Sequence, residues 1–175
     1  MESKIPTIEK HRDAFIKIKI IESLEELTLA LKLLKEGFSR NSASKIFLSW
    51  KALISALTVM NLEKMPKDEK EKEWYYKTGF LAPTTGLKGI SQRLEELGYK
   101  VNHLTSTALA LHRYAYNGLY KGASDYSDRD EAIRDVISLS REIITLLRGY
   151  FKNYWDDEIE NHYRIAEKEL REMNG

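Results

Sequence analysis

RNSASKIFLSWKALISAL, Arg40 to Leu57, is the most informative stretch of this chain. Its apolar residues Ala43, Phe47, Trp50, Ile54 and Leu57 recur at three- and four-residue steps, flanked by Ile46 and Leu53, which is the period of one helix face. Strand-type alternation is absent from it. Ser39 offers a side-chain oxygen to the first turn, so a helix is expected to start there with Ser39 as its N-cap.

Upstream, Ile16, Ile20, Leu24, Leu27, Leu31 and Leu34 are spaced four, four, three, four and three. Those steps keep one apolar stripe on a second helix. It is expected to begin near Thr7, after Pro6 bars an earlier start, and to end at Gly37, where a positive φ carries no penalty. The brief alternation IKIKI is absorbed by the longer helical period.

Downstream, MNLEKMPKDEKEKEWYY loses its period, contains Pro66 and is densely charged, so it reads as a solvated connection with a short helix from about Trp74 to Thr78. FLAPTTG reads as a turn, because Pro83 blocks continuation and Thr85 can cap the next helix. That short helix is expected from Leu87 to Leu97, ended by Gly98. Another is expected from Asn102 to Tyr116, with Leu104, Ala108, Leu111 and Ala115 as its inner edge and Asn117-Gly118 as terminator. Ser127, with Asp130 three residues on as in a capping box, would start a fifth helix with Ile133, Ile137, Ile144 and Leu147 along its stripe, ended or bent by Gly149. A last segment from Asp156 places acidic residues against a helix dipole. The expected fold is all-α, an antiparallel bundle of five or six helices forming one domain over residues 1–175.

Composition agrees with this. At 175 residues and 42 % hydrophobic content the chain can bury a core without a disulfide or metal staple. It has no cysteine, which excludes disulfides, thiolate catalysis, iron–sulfur clusters and cysteine-rich zinc sites and suits a reducing compartment. MESKIPTIEKHRDAF lacks an apolar h-region, and no run approaches the ~18 apolar residues of a membrane span. A cytoplasmic location without membrane attachment is expected. Lys and Arg number 28 against 27 Asp and Glu, interspersed, so no global charge favours nucleic acid or an anionic membrane. The Lys- and Glu-rich character, with Gln92 the sole glutamine, resembles hyperthermophile proteins.

The phosphate loop GxxxxGK[ST], the dinucleotide turn GxGxxG, HExxH, GxSxG and the paired Glu-x-x-His motifs of di-iron bundles are all missing. Glu158 and His162, one turn apart, fit a surface hydrogen bond better than a metal site, so neither a metal nor another cofactor is implied.

Two stretches carry candidate chemistry. In Arg40–Leu57, Lys45 and Lys51 interrupt an apolar helix near Trp50. They could form a phosphate-sized site or a cation–π contact, or they could snorkel, laying methylenes on the core. In LHRYAYNGLY, Leu111 to Tyr120, His112 and Tyr116 share a helix face and Asn117 lies at the helix end. The histidine and phenol could transfer a proton, or they could satisfy the core. Arg40, Arg113 and Arg129 with Tyr114, Tyr120 and Tyr126 also mix basic and aromatic groups, as single-stranded nucleic-acid sites do.

RNSASKIFLSWKALISAL, LHRYAYNGLY and the capping region SDYSDRDEAIRDVISL resemble, in order, the signature blocks of the archaeal paralogous-repeat (PaREP) family. That bundle in turn is similar to HEPN domains, helical modules that commonly dimerise and either bind nucleotides beside a nucleotidyltransferase or cleave RNA. The resemblance implies a HEPN-like fold, a homodimer, and a nucleotide or RNA ligand, with a nucleotidyltransferase as a candidate partner. RNA-cleaving members carry an arginine four to six residues before a histidine, and none of His11, His103, His112 and His162 has one. The expected function is a non-catalytic binding module whose cleft is lined by Lys45, Trp50, Lys51, His112, Tyr116 and Asn117. The alternatives are an RNase or toxin-like enzyme using His112 and Tyr116, and a protein-interaction module of antitoxin type.

Overall fold

The helix Ser39–Met60 sits at the centre because its sequence leaves it no wet side over much of its length: residues 52–59 are buried without interruption, as expected of a helix that is largely apolar all round. The computed structural model describes residues 7–173; Pro6 lies outside the described residues. Among those residues there are eight α-helices and no strands: α1 Thr7–Lys10, α2 Arg12–Lys35, α3 Ser39–Met60, α4 Glu69–Lys77, α5 Leu87–Glu96, α6 Asn102–Asn117, α7 Arg129–Tyr150 and α8 Asp157–Glu172. Short 3₁₀ turns occupy Leu62–Lys64, Gly79–Leu81 and Lys152–Tyr154. The all-α expectation holds, and the count of five or six helices is too low.

The extra helices have local causes. The first expected helix is broken at His11 into α1 and α2. The short helix expected from about Trp74 to Thr78 starts earlier, as α4 from Glu69, because Asp68 accepts from the Glu71 N–H at 2.8 Å, Lys77 pairs with Glu73 at 2.7 Å one turn away, and Tyr75 is buried. Other caps also shift. Ser39 caps nothing and instead shares a 2.7 Å hydrogen bond with the Tyr114 hydroxyl, while Phe38 precedes α3. Gly86, at φ +108°, rather than Thr85, precedes α5. Asp128, rather than Ser127, caps α7 through the Glu131 N–H, and Glu131 accepts in return from the Ser127 N–H at 2.6 Å.

Helices α2 and α3 form a long antiparallel hairpin held close by small residues. Ser49 Oγ donates to the Ser23 carbonyl at 2.7 Å and Ser42 Oγ to the Ala30 carbonyl at 2.6 Å, so each buried hydroxyl is satisfied at the contact itself. On its other side α3 meets α6, also antiparallel: Trp50 Nε1 donates to Thr105 Oγ1 at 2.8 Å and Ser39 pairs with Tyr114. Helices α5 and α7 complete the surround. Helix α8 departs from the antiparallel expectation. Lys17 near the start of α2 pairs with Asp156 and Glu158, at 2.7 and 2.9 Å, at the start of α8. Lys35 at the end of α2 pairs with Glu169 and Glu172 at the end of α8. The two helices therefore run parallel.

The stripe Ile16, Ile20, Leu24, Leu27, Leu31 and Leu34 is buried as read, and the core residues form one continuous cluster. In α7 the buried apolar positions are Ala132, Val136, Leu139, Ile143, Ile144 and Leu147; Ile144 and Leu147 are buried as expected, whereas Ile133 and Ile137 are only half-buried and the inward positions lie one residue before them. Contrary to expectation, α3 is long and apolar enough by composition to cross a membrane; 72 % of that window is buried inside the protein, the pattern of a core helix.

Candidate functional site

Helices α3 and α6 bring three of the expected site residues into one line. The Lys51 ammonium lies 5.7 Å from the centroid of the Phe47 ring. Phe47 stacks on His112 with centroids 4.2 Å apart and planes at 25°. His112 meets Tyr116 edge to face at 5.0 Å. Helical spacing explains two of these contacts, since residues 47 and 51, and 112 and 116, are each one turn apart. The middle contact exists only because α3 and α6 pack antiparallel. Phe47 was read as core and is the rung that joins the two halves.

The line grades from dry to wet. Phe47 is buried, His112 half-buried and Tyr116 74 % exposed. Burial lowers the Lys51 pKa, the positive charge of Lys19 lowers it further, and Glu22 opposes them. His112 is also pushed below its ordinary value, first by burial and then by Lys51 and Arg113. These surroundings favour the neutral imidazole over its charged form. Among the described residues Lys51 has no carboxylate at ion-pair distance; its ammonium reaches Thr84 Oγ1 at 3.4 Å. Two residues before Thr84, Ala82 adopts left-handed φ +52° immediately before Pro83.

The other expected lining residues lie elsewhere. Trp50 is fully buried and spends its N–H on Thr105, which shares a 2.5 Å hydrogen bond with Ser91; its ring faces the core and is closed to any ligand. Lys45 turns to α2, with its ammonium 3.8 Å from Glu26. Asn117 donates to the Ala123 carbonyl at 3.1 Å and so fastens the loop after α6. The six residues accordingly do not line one cleft. The three arginines are engaged as well: Arg40 on the Ala115 and Tyr116 carbonyls at 3.2 and 2.6 Å, Arg113 on Asp125 at 2.8 Å, and Arg129 on the Gly37 carbonyl at 2.7 Å. These contacts close helix ends and hold loops.

Near α8, Glu158 pairs with Lys17 while His162 faces Glu25 at 3.9 Å. Among the described residues no three His, Asp or Glu side chains converge as a metal site would need. A separate cleft of about 310 Å³ opens between α4 and α5, beside Trp74. Sequence reading missed it, although a half-exposed tryptophan in a charge-rich segment is the signal that could have found it.

The fold and this surface define an all-helical protein with an unpaired lysine leading a line of aromatic rings. The chain belongs to the archaeal PaREP1/PaREP8 family, whose family model matches residues 18–137. That span contains α3, α4, α5 and α6 and leaves α8 outside. No curated protein and no solved structure matches the chain.

Proposed function

We propose that the α3–α6 surface binds the phosphate and base of a nucleotide or RNA end, without catalysing a reaction. The observation that carries this reading is the Lys51–Phe47–His112–Tyr116 line, which runs from a cation without a carboxylate partner among the described residues to a phenol open to solvent. A phosphate would meet the ammonium, and a base would meet the exposed Tyr116 ring. Two features support binding over cleavage. Among the described residues His112 makes no hydrogen bond to an orienting carboxylate, and its ring is occupied on one face by Phe47. A HEPN-like arrangement belongs to the same reading, supported by the long α2–α3 hairpin, as do a homodimer, a nucleotidyltransferase partner and a cytoplasmic location.

Thermal shift and fluorescence anisotropy with a panel of nucleotides and short labelled RNAs test it. Binding should fall about tenfold or more in Lys51→Ala and in Tyr116→Ala, with unchanged unfolding midpoints. Silence across the panel removes the proposal, and cleavage of labelled RNA that depends on His112 replaces it with the enzyme alternative.

A further inference from the structure

The cleft between α4 and α5 has features that the fold alone does not require. Its wall is Trp74, 36 % exposed. Backbone lies close against the indole: a Cβ at Gly79 would come within 2.6 Å of the ring, and one at Gly86 within 3.0 Å. Gly86 also stands at φ +108°, which glycine alone adopts cheaply. These two glycines have steric reasons.

Gly89 has no such reason. It lies in the first turn of α5 with ordinary helical backbone, and a Cβ there would touch nothing within 4 Å. Glycine is the least favourable residue in a helix after proline, so packing and propensity both favour a side chain at this position. Gly89 lines the cleft, so a long side chain at this position would project into it. Gln92, one turn further along α5, lines the same space, is exposed, and makes no hydrogen bond among the described residues. It is the only glutamine of the chain.

The charges around the cleft are already spent. Lys67 pairs with Glu96 at 3.2 Å, and Arg93 donates to Glu96 at 2.8 Å, to the Met65 carbonyl at 2.9 Å and to the Lys64 carbonyl at 2.7 Å. Neither cation is left over for a phosphate. An aromatic face, an open slot beside it and a carboxamide at its edge with no protein partner among the described residues together suit a flat, uncharged ring with donors and acceptors on its rim. We infer that this cleft is a nucleobase site, in which the base stacks on Trp74 over Gly89 and its edge is read by Gln92. It is distinct from the Lys51 surface and stands without it.

The test titrates adenosine, which carries no phosphate, and an eight-residue adenine RNA into the full chain, reading Trp74 fluorescence as the difference between wild type and Trp74→Phe. The two probes separate a free nucleoside from a base within a strand. Saturable quenching by at least one probe is expected, weakened tenfold or more in Gly89→Leu and several-fold in Gln92→Ala. The thermal midpoint of Gly89→Leu should equal or exceed that of wild type; Gly89→Ala, graded between the two, serves if the larger side chain disturbs folding. The quenching should persist in Lys51→Ala, which keeps this site's outcome apart from that of the α3–α6 surface. Quenching that never saturates with either probe, or that is the same in both Gly89 variants as in wild type, overturns the assignment.

Discussion

His112 is the residue at which local environment and candidate chemistry meet. Its folded pKa lies below the ordinary 6.5, so the unfolded chain binds its proton more tightly than the folded one. Its contribution to stability is accordingly full above the unfolded pKa and is lost as pH falls through the window below about 6.5. Removing Lys51 takes away one of the charges responsible. In Lys51→Ala the His112 titration followed by NMR should move up toward the ordinary value, and an unmoved titration would show that burial and Arg113 set it without Lys51. The same residue marks a limit of sequence reading. That His112 and Tyr116 share a face is set by their spacing, whereas the Phe47 ring against His112 comes from a helix 65 positions away and leaves no local trace.

Among the elements, α3 sets how far the fold could be read. Its burial from residue 52 to 59 reflects apolar residues on every side, and the α2 stripe from Ile16 to Leu34 is buried at each position expected. Periodicity is a local property and survives tertiary packing. Caps and stripe edges do not, because neighbouring residues offer near-equal choices and distant partners decide among them. Ser39 is drawn to Tyr114, Asp128 wins over Ser127, and α7 turns Ala132 and Val136 inward in place of Ile133 and Ile137. Trp50 misled for a related reason: tryptophan near lysines suggests a binding surface, yet here Thr105 answers its N–H inside the core. If α3 is the keystone, Leu57→Ala should cost about 2–5 kcal/mol through lost contacts and a cavity that close packing cannot refill. Urea denaturation checks this, and a cost below about 1 kcal/mol would mean that the surrounding helices collapse onto the gap.

At the scale of the whole molecule, α8 is joined to α2 in two ways that differ in strength. Ile159, Tyr163, Ala166 and Leu170 are buried against the rest, while Lys17 and Lys35 tie the two ends by ion pairs at the surface. Exposed ion pairs of this kind contribute roughly 0–1 kcal/mol each and are screened by salt. The double variant Lys17→Met, Lys35→Met should therefore lower the thermal midpoint by only a few degrees in dilute buffer, and the difference from wild type should shrink at about 1 M salt. A large, salt-independent loss would assign the lysines a packing role through their methylenes instead.

The parallel course of α2 and α8 also governs how this polypeptide can be re-engineered. With 24 residues in α2 at about 1.5 Å each, positions 12 and 172 stand on the order of 30 Å apart, at opposite poles of the stack. A closed ring made by splicing the two poles would need a bridge of about ten extended residues. Any shorter splice would pull one of the two rods out of its seat.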